Sequence, residues 1–314
     1  MSTQQTTPVT LLTGFLGAGK TTLLNHLLAG DPERRSAVVE NEFGAVGIDG
    51  QLVEGATALY CLSEGCACCD VRDDLVDLFE GLASERAPRY DHVWLEASGL
   101  AEPGPILRVF DTPASKRRFH LHAVVTVVDA AQVRQALAEH PTCAEQIAFA
   151  DLVVLNKIDL VSARELGEVG AALHRIHDVE VVHALRGQVP VARIDGIERM
   201  AVRAPRDPAE HHHHHHDDEV RSVSVAMDGA LDLGRFDRWL GSLLAERDVL
   251  RMKGVLAIDD DRRWVFQAVR RTVEVHPSRP WGSEARRSQV VFIGRGLDAS
   301  RLQSEFEGLA LAEV

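Results

Sequence analysis

Short, nearly unbroken apolar runs punctuate the first two hundred residues. Val9 to Thr13, Ser36 to Glu40, Asp91 to Ala97, Ala123 to Asp129, Leu152 to Asn156 and Glu180 to His183 are each bounded by polar or glycine residues. A brief run that does not alternate predicts a strand buried on both faces. Between several of them the apolar spacing becomes helical, over Lys20 to Leu28, Val71 to Ala83 and Ala163 to Ile176. Strands alternating with helices predict an α/β fold, a mainly parallel sheet covered on both faces.

The pattern stops at Arg203. From there to Glu219 the chain is rich in Pro, Arg, Asp and His and has no apolar period, which reads as an exposed connector. Beyond it the order changes: strand Val220 to Met227, helix Gly234 to Glu246, strands Leu250 to Asp259 and Trp264 to Glu274, strand Gln289 to Ile293, helix Asp298 to Phe306. The polar interruption Asp259 to Arg263 is a hairpin signal, and β-α-β-β-β-α suits a smaller α+β domain with an antiparallel sheet. The expected division is therefore 1–202, a linker 203–219, and 220–314.

Composition narrows the function classes. With 45% apolar and 26% charged residues the chain is not disordered throughout. No apolar run approaches the ~18 residues of a membrane helix. Met1 to Pro8 is polar without a basic start, so a cytoplasmic protein with no membrane partner is expected. The formal charge of −13 repels nucleic acid at long range, so any phosphate must be gripped locally. Two counts stand out: six of 15 histidines are consecutive, and four of five cysteines fall between Cys61 and Cys69. Clustered thiols in an odd total point to metal or redox chemistry rather than a disulfide framework.

Three motifs carry nucleotide chemistry. Gly14-Phe15-Leu16-Gly17-Ala18-Gly19-Lys20-Thr21 fits G-x-x-x-x-G-K-[ST], between a predicted strand and a helix running on through Thr22. The glycines let backbone N–H groups of the loop, Ala18 included, face phosphate oxygens; Lys20 supplies a point charge, and the Thr21 hydroxyl suits Mg²⁺. Glu96 ends the predicted strand from Asp91, where a carboxylate can polarise a metal-bound or attacking water, and Gly99 lets backbone approach a γ-phosphate. Asn156-Lys157-Ile158-Asp159 follows the strand from Leu152, and the Asp159 carboxylate can accept from both guanine N1–H and its exocyclic amine, donors that adenine lacks there. GTP rather than ATP is the expected nucleotide, with Lys20, Thr21 and Glu96 as the catalytic set.

Together with Gly65-Cys66-Ala67-Cys68-Cys69, these motifs resemble the CobW-type metal-chaperone GTPases, SIMIBI-class P-loop proteins related to the urease and hydrogenase accessory GTPases. The resemblance extends through Glu40-Asn41-Glu42-Phe43-Gly44, Gly99-Leu100-Ala101-Glu102-Pro103, Arg251-Met252-Lys253-Gly254, Arg279-Pro280-Trp281-Gly282 and Val291-Phe292-Ile293-Gly294, and is strongest to short bacterial YjiA-like members. It implies a P-loop GTPase domain with a CobW-type C-terminal domain, and GTP hydrolysis coupled to delivery of a transition metal, zinc or cobalt, to a client metalloprotein. Its cofactors are then GTP, Mg²⁺ and Zn²⁺ or Co²⁺, in a monomer or homodimer. YjiA-like members carry a metal-binding Glu directly after Asn-Glu-Phe-Gly; here that residue is Ala45, which leaves Glu40 or Glu42 as the carboxylate ligand.

Cys66, Cys68 and Cys69 place three soft donors within four residues, suited to Zn²⁺, Cu(I) or tetrahedral cobalt. So short a span lets two or three of them reach one ion, completed by an outside ligand; the bland alternative is small buried thiols. Cys61, in an apolar run, is expected in the core, and Cys143, alone in a helix, is expected to be structural. The segment from Glu40 to Asp49 lies between the phosphate loop and the cysteines, where GTP and Mg²⁺ would order it and pre-form the thiolate site. His211, His212, His213, His214, His215 and His216, followed by Asp217 and Asp218, could collect divalent metal without fixed geometry; a soluble linker or an internal tag are the alternatives. Trp281 is an expected exposed aromatic for client recognition. Competing readings are a cobalt chaperone, a small-molecule kinase that would leave a phosphorylated acceptor, and a non-enzymatic metal buffer.

Overall fold

The computed structural model describes residues 6–42, 53–63, 71–197, 220–258, 260–270 and 272–311. They fall into two compact units. The first runs β1 (Thr7–Thr13), α1 (Lys20–Gly30), β2 (Ser36–Glu42), β3 (Ala58–Ser63), α2 (Val71–Ala83), β4 (His92–Ala97), α3 (Pro103–Leu107), α4 (Pro113–Arg118), β5 (Phe119–Asp129), α5 (Val133–Glu139), α6 (Pro141–Ala148), β6 (Leu152–Asn156), α7 (Ala163–Ile176), β7 (Glu180–His183) and α8 (Val191–Asp195). The seven strands form one sheet in the order β3-β2-β4-β1-β5-β6-β7, and every pair in it is parallel.

The unbroken apolar runs are explained by burial on both faces: all of His92–Ala97 and Leu152–Asn156 is buried. On one face Leu23, Leu24 and Leu27 of α1 pack with Leu12, Val38, Trp94, Val125 and Val154. Elsewhere Phe79 of α2 meets Phe110 and Phe119 edge-on, with ring centroids 5.1 and 5.3 Å apart. The sheet is wider than the apolar runs predict. β3 is an additional strand, and α3 to α6 fill the long intervals on either side of β5.

Cys61 is not in the core. It lies on β3, the edge strand, where Leu59 and Cys61 share the exposed face. Apolar content implied burial there, but a strand at the end of a sheet has a neighbour on one side only. Cys143 is buried, and burial pushes its thiol up to about 11, so it is inert.

His92 is a buried polar exception in β4. Its Nε2 is 2.9 Å from the Thr10 hydroxyl and its ring lies 4.3 Å from that of Trp94. Burial, then the positive charge of Arg34, holds its pKa down at about 3 instead of 6.5. The folded protein thus refuses a proton that the unfolded chain accepts below about pH 6.5. Stability is therefore present above that pH and is lost as pH falls toward 3, by about 1.4 kcal/mol per pH unit for this one proton. In His92→Gln, urea unfolding at stepped pH is expected to show a slope shallower by that one proton; an unchanged slope would assign the acid sensitivity elsewhere.

The second unit contains β8 (Arg221–Asp228), α9 (Leu233–Glu246), β9 (Val249–Ala257), β10 (Arg262–Val269), β11 (Thr272–Pro280), β12 (Arg287–Gly294) and α10 (Ala299–Glu307). Its sheet is antiparallel, in the order β11-β10-β9-β12-β8. Asp232 and Asp298 cap the two helices by accepting from the backbone N–H of Arg235 and Arg301, each at 2.9 Å. Phe236, Leu240 and Leu243 then line one face of α9, and Leu302 and Phe306 one face of α10, over Val225, Met252, Phe266 and Phe292.

Two expectations are corrected here. The single strand predicted over Trp264 to Glu274 is two strands joined through a turn at Arg270, whose φ is +49°. Alternation continues on both sides of that turn, and the local sequence lacks the Gly or Asn that marks a hairpin. Trp281 is buried, not exposed: its indole N–H donates to the Arg262 carbonyl at 3.0 Å, and the Arg263 guanidinium lies 4.4 Å from the ring centroid. It staples the β10–β11 hairpin. No helix among the described residues is long and apolar enough to cross a membrane.

Candidate functional site

Open parallel sheets bind ligands beyond the carboxyl ends of their strands, where the chain switches direction. Here β1 is flanked by β4 on one side and β5 on the other, and the loop Gly14–Gly19 leaves β1 at that point. Gly14 has φ +135°, and a Cβ on it would fall 2.1 Å from the Val127 carbonyl oxygen. Gly19 has φ +101° and lies against Asn156 Nδ2, which a Cβ would meet at 2.6 Å. Both glycines are required by backbone conformation and by close approach. Gly17 has φ +71° with open space around it, and Ala18 is buried.

Lys20 and Thr21 begin α1. The Lys20 ammonium donates to the carbonyls of Gly14 at 2.9 Å and Phe15 at 3.4 Å, so the loop curls around it. Thr21 Oγ1 donates to Glu96 Oε1 at 2.8 Å, joining the helix start to the end of β4. Thr22 follows, exposed, in the first turn of α1. Gly99 lies beside the same loop: a Cβ there would fall 2.7 Å from Leu16 N and 2.8 Å from Leu16 Cα. Its direct neighbour is thus the phosphate loop itself.

The Asn156-Lys157-Ile158-Asp159 segment leaves β6. Asn156 donates through Nδ2 to the Ala18 carbonyl at 3.0 Å and accepts through Oδ1 from Gly187 N–H at 2.9 Å. Lys157, at φ +58°, donates to the Gly17 carbonyl and to Asp129 Oδ2, both at 2.7 Å. These bonds lock the segment to the phosphate loop. Asp159 stands on a short 3₁₀ turn, Ile158–Leu160, with an exposed side chain available to a ligand.

Three residues that sequence reasoning missed belong to this constellation. Asp129 ends β5 as Glu96 ends β4, and its Oδ1 also accepts from Ala131 N–H at 2.9 Å. Gly187, at φ +67°, follows β7, and a Cβ on it would lie 2.8 Å from Leu23 N in α1. Gln146 of α6 donates to the carbonyls of Gly99 and Ala101. A polar residue closing an apolar run was the available signal for Asp129.

Of the expected metal ligands, Cys66, Cys68, Cys69 and His211 to His216 lie outside the described residues, as do Ala45 and most of the Glu40 to Asp49 segment. β2 extends two residues further than expected, so Glu40 and Glu42 belong to its carboxyl end. Glu40 is buried and its Oε2 accepts from the Cys61 thiol at 3.6 Å. In the sheet Glu40 is in register with Cys61 on β3 and with Glu96 on β4, so all three side chains leave on one face. Among the described residues no group of three or more His, Cys, Asp or Glu could hold a metal ion.

Residues 8–183 match the family model of the CobW/HypB/UreG nucleotide-binding domain, and residues 220–310 that of the cobalamin synthesis protein CobW C-terminal domain. The chain is 33% identical to the zinc chaperone YjiA of Escherichia coli over 96% of its length and 98% of that protein. It is 34% identical to the zinc chaperone CobW of Pseudomonas aeruginosa, covering 97% and 92%. The crystal structure of the Zn(II)-bound YjiA GTPase from E. coli superposes with a TM-score of 0.75 at 30% identity, over 98% of this chain and all of that one.

Proposed function

This chain belongs to the CobW/HypB/UreG family, and from that premise we propose that it is a GTP-dependent metallochaperone, hydrolysing GTP to GDP and phosphate and coupling nucleotide state to delivery of zinc. The N–H groups of the loop from Gly14 to Thr22 bind the phosphates in the field of the α1 N-terminus. Lys20 transfers its donors from the Gly14 and Phe15 carbonyls to phosphate oxygens. Lys157, held by Asp129, and Asn156, held by Ala18 and Gly187, keep the base-reading turn fixed against the phosphate loop, so that Asp159 accepts from guanine. Glu96 and the Gly99 backbone serve the γ-phosphate end. Thr21 and Glu96 present hard oxygen donors already linked at 2.8 Å, which fits Mg²⁺. That ion, when bound, would neutralise charge on the transferring phosphoryl group.

The cargo is substrate, not a resident cofactor. Cys66, Cys68 and Cys69 hold it, with Glu40 or Glu42 as the outside carboxylate, and the histidines from His211 to His216 collect metal for that site. The observation that carries the coupling is the register of Glu40 with Glu96, on neighbouring strands and one face. Glu96 accepts from Thr21 at the helix start, so a shift of the nucleotide-side acid is felt by a cargo-side acid on the neighbouring strand, whose backbone is about 5 Å away. Delivery is to an apo-metalloprotein, in the cytoplasm.

Coupling is reciprocal by linkage. Zinc competition with a chromophoric chelator is expected to give a different affinity with a non-hydrolysable GTP analogue than with GDP, by about five- to a hundredfold for an ordinary coupling. Zinc should change GTP affinity by the same factor. Equal zinc affinity in the two nucleotide states would overturn the chaperone reading while leaving the GTPase intact.

A further inference from the structure

The segment between β4 and α3, Ser98 to Glu102, has phosphate loop on one side and α6 on the other. Toward the phosphate loop, Gly99 has no room for even a Cβ beside the Leu16 backbone. Toward α6, Gln146 spends both protons of its side-chain amide on this one segment. Its Nε2 donates to the Gly99 carbonyl at 3.0 Å and to the Ala101 carbonyl at 3.2 Å. Gln146 is 1% exposed, so water does not replace those bonds. Its own main chain is tied to the sheet, since the buried Thr126 hydroxyl on β5 donates to the Gln146 carbonyl at 2.7 Å. A side chain rooted on β5 and α6 thus grips alternate carbonyls of the segment that follows Glu96.

The chemistry at this position is selective. Only a group with two donors can satisfy two carbonyl oxygens at once; a carboxylate would repel both, and an apolar side chain would leave both buried and unpaired. In a trans peptide the N–H points opposite to the C=O. Pinning the Gly99 and Ala101 carbonyls on Gln146 therefore turns the Leu100 and Glu102 N–H groups away from α6. The segment keeps one backbone orientation beside the phosphate loop.

We propose that Gln146 is a positioning residue for GTP: through the Gly99 and Ala101 carbonyls it holds Ser98 to Glu102 in the conformation that meets the γ-phosphate end of the nucleotide. The inference rests on the GTPase reading above, in which Glu96 and Gly99 serve that end. GDP is held by the phosphate loop and the base-reading turn, which Gln146 does not touch in any of these bonds. Gln146 consequently governs the preference for GTP over GDP rather than nucleotide binding in general.

The test compares full-length wild type with Gln146→Met, which keeps the side-chain length and removes both donors. Wild-type turnover of GTP establishes the GTPase reading by itself; its absence would remove that reading before the variant is considered. In the variant, affinity for a non-hydrolysable GTP analogue and kcat/KM for GTP are expected to fall by about ten- to thirtyfold, the factor that two ordinary hydrogen bonds carry. The GDP Kd should change by less than about twofold. A purely structural role would weaken both nucleotides alike or lower only the Tm, and an unchanged ratio of GTP to GDP affinity would overturn the proposal. If Gln146→Met does not fold, Gln146→Asn decides on the same ratio, because it keeps a buried amide but draws it back by one methylene. Failure of both to fold would assign these bonds to the fold and overturn the proposal.

Discussion

Asp159→Asn should lose GTP by about 10²–10⁴-fold and bind xanthosine triphosphate in its place. In the proposed site the carboxylate accepts two hydrogen bonds from guanine, from N1–H and from the exocyclic amine, and bonds to a charged group are worth about 1.5–3 kcal/mol each. An amide offers one acceptor and one donor, so facing guanine it keeps the N1–H bond and sets its own N–H against the amine. Xanthine carries a carbonyl where guanine has that amine, so the amide's donor is satisfied there. The exposed position of Asp159 on its short turn makes this a recognition change and not a folding change. Titration calorimetry with the two triphosphates and with ATP checks it. Unchanged GTP affinity would place base recognition elsewhere.

Lys20→Ala should lower kcat/KM for GTP by about 10²–10³-fold, the scale found when a preorganised charge aimed at the reacting group is removed. Lys20 is 8% exposed, and its ammonium is held by the Gly14 and Phe15 carbonyls, inside the curl of the phosphate loop. That geometry keeps the charge inside the loop before substrate arrives, and its donors then pass from the two carbonyls to the phosphoryl oxygens as negative charge builds there. Lys20→Arg should not rescue the rate, because a planar guanidinium does not fit a pocket shaped for a compact ammonium. Phosphate release at saturating and limiting GTP separates loss of binding from loss of chemistry. A variant within a few-fold of wild type would mean that the loop does not hold the transferring phosphate.

How far the site could be read before folding follows from the separation of its partners. The phosphate loop was legible because eight adjacent residues do its work, and the strand before and helix after it are local patterns too. Asn156, Lys157 and Asp159 were legible for the same reason, as was Glu96 at the end of an apolar run. Asp129, Gln146 and Gly187 were not: Asp129 meets Lys157 across 28 residues, Gln146 reaches back 47 residues to Gly99, and Gly187 meets Asn156 across 31. Each looks like an ordinary polar or turn residue until the sheet order makes its partner a neighbour.

The same division explains the two misplaced side chains. Cys61 sits in a run apolar enough for a core strand, yet β3 ends the sheet and leaves that face exposed. Trp281 sits among Arg, Pro and Gly, yet the pairing of β10 with β11 brings the Arg262 carbonyl to its N–H and the Arg263 guanidinium over its ring. Burial is a property of strand order, which local hydropathy does not carry.

By itself the amino-acid sequence determined the α/β class, the strand–loop–helix of the phosphate-loop motif and the turn of the Asn156-Lys157-Ile158-Asp159 motif, because period, glycine placement and short spacing act over a few residues. Only the tertiary structure decided that Glu40 stands in register with Glu96, that Lys157 and Asn156 brace the phosphate loop, and that Gln146 grips the segment after Glu96. Those contacts depend on which strands become neighbours, and in a parallel sheet that is settled by long crossovers, not by adjacent residues.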